Sequence, residues 1–320
     1  MVHFCRCIGE EGFGLILKES IRTNGKEGED KDVYFDMTVQ EKNITFSTDD
    51  KPAKKIIKKC LKTAESNDLK LRQTYTRTLK KRSYDQRFCN HPQNKGKAGE
   101  ADKKVKTIAG RLVRDLERKS GEKASDYKEV LELSKRVLAQ KRNDKDKIYS
   151  LHEPEVCCIN KGKEHKPCEF GNKASFGWTA SGVIVSALVF RNEYDGHTLD
   201  KSIEQEGRLR ESLPENGIGD RGYRGRGKVG ETVIHIPKPF SKKLSVYMQR
   251  KEKKYFRKRA GIEPVISHLK AGRRLSRNFY KGIFGDNINM MPAATGFNFK
   301  RMMNKWKASF LSFGRCCFKK

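Results

Sequence analysis

Three carboxylates stand where a carboxylate is costly or conspicuous. Asp36 lies in the middle of DVYFDMTVQEKNITF, among Val33, Phe35, Met37 and Val39. An unpaired charge in such a half-buried run is expensive, so it needs a partner or a task. Asp220 opens DRGYRG, where two glycines let the backbone approach a ligand closely. Glu263 is one of only two acids in residues 238–281, against fifteen bases. Taken singly, each has a plain structural reading: a satisfied buried acid, a turn former, an ion-pair partner on a helix. Taken together, a strand acid, a turn acid and a helix acid form the donor set of a two-metal site. Hard divalent cations take carboxylate oxygens, and two adjacent ions stabilise both the attacking and the leaving oxygen of phosphodiester displacement.

Other chemistries find less support. Cys157, Cys158, His165 and Cys168 suggest zinc, but adjacent cysteines are a poor start for a paired-knuckle site, and the nine cysteines read as free thiols. Cys89 with His91, and Cys316 with Cys317, are weaker still. There is no G-x-S-x-G elbow and no P-loop, which argues against triad hydrolysis and ATP hydrolysis. Asp195 and His197, in YDGHTL, read as turn residues, with polar groups supporting the site as the alternative.

The elements that must position the acids follow from periodicity. Val33, Phe35, Met37 and Val39 alternate with Tyr34, Asp36, Thr38 and Gln40, which predicts a strand. Ser47 to Asp50 offer helix N-cap chemistry, with Pro52 just inside. Three basic amphipathic helices follow, built on Ile56-Ile57-Cys60-Leu61-Ala64, on Val105-Ile108-Leu112-Leu116, and on Tyr127-Leu131-Val137-Leu138. Residues 90–101 read as a polar loop between them. Strands are expected in KIYSLHEPEVCCI, PCEFGNKASFGW and GVIVSALVF, the last two as a hairpin turning at Gly177, Ser181 and Gly182. SIEQEGRLRESL reads as a short helix, LPENGIG as a strand poor in strand formers, and ETVIHIPKP as another strand. A long basic helix runs from Ser245 to Lys270, and Gly261 and Pro264 must bend or interrupt it. FNFKRMMNKWKASF reads as a basic amphipathic helix, in which Pro292 and Gly296 just upstream are awkward, and SFGRCCFKK as an unstructured tail.

Charge points to the partner. The 320 residues carry 70 Lys and Arg against 40 Asp and Glu, a formal net charge of +30. Residues 51–147 hold 30 bases and 13 acids, so the excess is concentrated there and in 238–281. Such an excess favours a polyanion, with a few carboxylates doing chemistry inside a basic groove. No apolar run approaches the roughly 20 residues of a membrane span, and the first residues lack the apolar stretch of a secretory signal.

On DMTVQEKNITFSTDDK, KIYSLHEPEV, KGKEHKPCEFGNKAS, FRNEYDGHTL, DRGYRGRGKVG, FRKRAGIEPVISHLK and RLSRNFYKGIFGDNIN, the chain resembles bacterial insertion-sequence transposases of the DDE type. The resemblance covers about residues 9–310. It implies an α/β fold, a ribonuclease H-like mixed sheet with flanking helices and a basic helical insertion. Residues 1–50 would begin the catalytic domain, 51–147 would be the insertion, 148–285 the rest of the domain, and 286–320 a basic helix and tail. It further implies that Asp36, Asp220 and Glu263 are the catalytic acids, holding two Mg²⁺ or Mn²⁺ ions. Arg259, Lys270, Arg221, Arg224 and Lys258 would contact DNA phosphates. The family's tyrosine three residues before the arginine is Phe256 here, with Tyr255 beside it. Implied partners are double-stranded DNA, as terminal inverted repeats and target, and self-association through an upstream helical region. The chain begins near the end of that region, so a truncated, cytoplasmic, nucleoid-associated copy is expected. Competing expectations are a catalytically dead DNA-binding remnant and a basic RNA-associated structural protein.

Overall fold

The protein is described here by a computed structural model, which describes residues 2–44, 50–89, 91–120, 127–141, 143–145, 147–160, 162, 164, 168–191, 193–237 and 245–317. Helix α1 (Val2–Arg22), kinked at Gly9, leads into strand β1 (Asp32–Glu41). Four helices follow: α2 (Asp50–Ser66), α3 (Thr76–Asp85), α4 (Pro92–Ser120) and α5 (Lys128–Ala139). Then come β2 (Cys157–Asn160), β3 (Cys168–Thr179), β4 (Ile184–Phe190), α6 (Asp195–Arg210) and β5 (Asn216–Ile218). The chain continues through β6 (Lys228–Val229), β7 (Thr232–His235), α7 (Val246–Arg259), α8 (Ile262–Gly272) and α9 (Gly282–Cys317). Two compact units result: residues 1–43 with 157–320, and residues 44–156.

The first unit is α/β, built on a seven-stranded mixed sheet. β3 runs antiparallel to β1 along one edge, while β2 and β4 share its other edge. On its far side β1 pairs in parallel with β5, which pairs in parallel with β7, and β6 closes that end. Val33 and Phe35 of β1 enter the main core with Leu17, Leu199, Ile203, Met290 and Met291 from the helices. Tyr34 points the opposite way, against Ile218 and Tyr255. The three residues of β5 fit the narrow centre of the sheet because Gly217 has no side chain. A Cβ there would lie 2.8 Å from Ile234 and 3.4 Å from Phe35.

Within α6, Glu206 is fully buried and ion-paired with Arg210. Burial outweighs the arginine and pushes the carboxyl up to about 7. A raised folded-state pKa means the group supports the fold below its ordinary value of 4.5, and that support is lost as pH rises through about 7. The melting temperature is expected to fall between pH 5 and 7.5, and Glu206→Gln to flatten that part of the profile. Parallel profiles for the two proteins would contradict this.

The second unit is helical. Its core takes Ile56, Ile57, Cys60 and Ala64 from α2, Val105, Ile108, Leu112 and Leu116 from α4, and Leu131 and Val137 from α5. These are the apolar faces expected from spacing. The unit spans 44–156, wider than the expected insertion at 51–147.

Several expectations are corrected. Residues 92–101 are not a loop but the start of α4, with Ala98 and Ala101 buried; Pro92 suits a first helical turn, and Gln, Lys, Glu and Ala outweigh two glycines. α3 was not expected, because it buries no residue and so leaves no apolar period to read. Of the KIYSLHEPEVCCI run only its last three residues, 157–159, are strand, as the start of β2. Gly177 lies inside β3, and the turn is made at 180–182, with Gly182 at φ 96. Helix α9 starts at Gly282, earlier than the expected C-terminal helix, runs through Pro292 and continues to Cys317, and Ile288, Ala293 and Ala294 are core residues. Ser47, Thr48, Asp49, Asn90 and His165 lie outside the described residues.

Candidate active site

The pleat of β1 decides where Asp36 points. It shares a face with Tyr34, and its side chain is only 16% exposed. Its Oδ1 accepts the Met37 N–H at 3.0 Å and lies 3.6 Å from Arg259 Nη1. Burial pushes the carboxyl up to about 6; Arg259 pulls it down, while the charges of Asp220 and then Glu263 raise it further. Those two acids therefore share the electrostatic neighbourhood of Asp36.

The parallel register explains why Asp220 is there. Tyr34 is paired with Ile218, so Asp36 and Asp220 each follow two residues beyond a matched pair. Asp220 caps a 3₁₀ turn at Arg221–Tyr223, and its Oδ1 accepts the Gly222 N–H at 2.7 Å. A Cβ on Gly222 would stand 2.9 Å from that oxygen and 2.8 Å from Asp195 Oδ2. Glycine is required there because two carboxylates converge on it.

Glu263 arrives from the other direction. The expected long helix breaks at residues 260–261, leaving Arg259 as the last residue of α7 and Glu263 in the first turn of α8. Gly261 permits the break, since a Cβ would meet Trp178 at 2.9 Å and the Lys258 carbonyl at 3.1 Å. Pro264 falls in the first helical turn, where a missing N–H costs nothing. Among the described residues, the Glu263 side chain is exposed and makes no hydrogen bond or ion pair.

The expected bases are placed unevenly. Arg259 turns to Asp36. Lys270 lies seven residues, roughly two turns, beyond Glu263 on α8. Arg221 and Arg224 are exposed beside Asp220. Lys258 lines a groove of about 450 Å³ with Asp32, Tyr247, Arg250, Lys251, Lys254 and Tyr255, which none of the three acids lines. Tyr255 aims its hydroxyl at Asp32 Oδ1, 3.5 Å away, while Phe256 packs near Tyr34.

Residues that periodicity did not single out complete the site. Asp195 and His197 are not in a turn but in the first turn of α6, and Asp195 Oδ1 is 2.7 Å from Lys173 Nζ. Tyr223 is fully buried, and its phenol is raised well above the ordinary value by burial and by Asp36, Asp195 and Asp220. The signal for Asp195 was present: an acid just before an apolar helix period is a helix start. Tyr223 carried none beyond its place in DRGYRG.

No three His, Cys, Asp or Glu side chains among the described residues stand within one metal coordination sphere, whether at the three acids or at Cys157, Cys158 and Cys168. Cys5, Cys7, Cys60, Cys89, Cys157, Cys158 and Cys168 form no disulfide, and no helix among the described residues is long and apolar enough to cross a membrane. Compared with known proteins, the chain matches no family model, no curated protein and no solved structure.

Proposed function

We propose that the protein is a metal-dependent transposase of the DDE type, which cuts and rejoins DNA strands to move an insertion sequence. The observation that carries this reading is that Asp36, on a central strand, feels the charges of Asp220 at a strand-end turn and of Glu263 at a helix start. The strand order supports a ribonuclease H-like fold for the first unit. A long first strand has an antiparallel hairpin on one side and two parallel strands on the other.

The donor set fits Mg²⁺ or Mn²⁺. All its ligating atoms are carboxylate oxygens; Asp36 and Asp220 each commit only one oxygen to the protein, and Glu263 commits neither. Magnesium uses one or two carboxylates and fills the rest of its sphere with water and phosphate oxygens, so a trio within one sphere is not needed. Two such ions, when bound, would supply Lewis acidity to the attacking and leaving oxygens of a phosphodiester. Asp36, Asp220 and Glu263 would hold them. Arg259 balances the charge of Asp36 and would contact a phosphate oxygen of the bound strand. Arg221, Arg224, Lys258 and Lys270 would grip double-stranded DNA through phosphates, which orients the strand without reading its sequence.

A second reading keeps the basic surface without the chemistry: a DNA-binding remnant. Supercoiled plasmid nicking separates the two. Wild type is expected to nick with Mg²⁺ and not with chelator. Glu263→Gln, at an exposed position, is expected to bind DNA within about twofold of wild type and not to nick. If neither protein nicks while both bind, the remnant reading stands.

A further inference from the structure

The helical unit carries a cleft of about 420 Å³ lined by Arg72, Gln73, Tyr75, Arg111, Leu112, Arg114, Asp115 and Arg118. We infer that this cleft is a binding site for the phosphodiester backbone of a nucleic acid. Its site lies wholly within residues 44–156, so the inference does not depend on the metal site or on cleavage.

Composition gives the first reason. Residues 44–156 contain 21 lysines and nine arginines, yet four arginines and no lysine line the cleft. A uniformly basic surface would have put lysines there too. Guanidinium is the side chain that takes phosphate oxygens two at a time through a planar fork. All four are exposed, and among the described residues none is ion-paired.

Geometry gives the second. Arg111, Arg114 and Arg118 are spaced i, i+3, i+7 on α4, one face over about 10 Å of helix. A face of that length is longer than any single phosphate group, so it suits successive phosphates of a strand rather than one small anion. Arg72 stands on the segment opposite, which is tied down at two points. Its N–H donates to Asp115 Oδ2 at 2.8 Å, and Lys119 Nζ donates to the carbonyl of Lys70. The single acid of the cleft is thus spent on holding the wall.

The third reason is strain. Tyr75 sits at φ 58, a left-handed conformation that costs a non-glycine residue on the order of 1 kcal/mol, yet it is half-buried at the edge of the helical core. It sets the turn from the Arg72 wall into α3, over a floor made by buried Leu112.

The test uses the full chain and fluorescein-labelled 24-mer DNA, both as duplex and as single strand, with affinity followed by anisotropy over a range of NaCl. R111Q/R114Q/R118Q is compared with K55Q/K59Q/K62Q, which removes three exposed charges from α2. The arginine variant is expected to bind at least about tenfold more weakly at 0.1 M salt, with a salt slope smaller by roughly 2–3. The lysine variant is expected to lose less than half as much slope. A larger effect with duplex than with single strand, or the reverse, identifies which form the cleft takes. Equal losses in the two variants, or wild-type binding by the arginine variant with unchanged circular dichroism, would overturn the inference.

Discussion

Asp36→Asn is expected to make the metal-free protein more stable and, in the same molecule, to abolish cleavage. The carboxylate is only 16% exposed, and the charges of two further acids add to its cost. Its folded-state pKa is raised from 3.8 to about 6, so its support for the fold is present below 3.8 and lost as pH rises through about 6. At pH 7.5 the ionised group opposes folding by at most ~3 kcal/mol, net of the Arg259 attraction, and replacement is expected to recover ~1–2 kcal/mol of that. A melt in chelator should therefore shift upward by about 2–8 °C. In millimolar Mg²⁺ the wild type is expected to rise, because ions bind the folded state alone, and the variant to stay where it was. Cleavage should fall on the order of 10³-fold or more. A variant that melts below wild type in chelator would make Asp36 a structural partner of Arg259 instead of a site held ready for cations.

The second large effect belongs to stability. Lys42 and Asp286 form a pair at 2.7 Å with side chains 1% and 0% exposed. Asp286 also accepts from Asn172 at 2.7 Å and Asn278 at 2.5 Å, while Lys42 donates to the carbonyls of Tyr280 at 2.9 Å and Gly282 at 3.2 Å. The network fastens the start of α9 to the end of β1, beside a backbone bond from Asn278 to Glu41 at 2.7 Å. Asp286→Ala takes the carboxylate at 2.7 Å away from a buried ammonium and is expected to cost ~3–5 kcal/mol. The double variant K42M/D286L removes both charges and should recover most of that loss. Denaturant midpoints of the three proteins decide the matter. A single variant within 1 kcal/mol of wild type would mean that the two asparagines and the carbonyls suffice for Lys42.

Much of the architecture was legible because it rests on local period. β1 could be read from alternation, and the faces of α2, α4 and α5 from three- and four-residue spacing, since burial on one side leaves that mark. α3 was not legible because it buries nothing. The first ten residues of α4 were not legible because their polar composition resembles a loop, and only packing of Ala98 and Ala101 decides otherwise. β5 was doubtful on propensity, and it persists because neighbours on both sides leave room for glycine and nothing larger.

By itself the amino-acid order determined which acids are conspicuous, where the chain is basic, and that the helix carrying Arg259 and Glu263 must break near Gly261. It also determined that residues beyond about 50 would form helices with their own apolar core. Only the tertiary structure decided that Asp36 and Asp220 stand side by side, because a parallel register between strands some 180 residues apart is invisible to local pattern. It alone decided that Asp195, Lys173 and Tyr223 border the same acids, and that four of the nine arginines of the helical unit share one cleft. The reason is common to all of these. Periodicity records which side of an element is buried, whereas a site is made where separate elements meet.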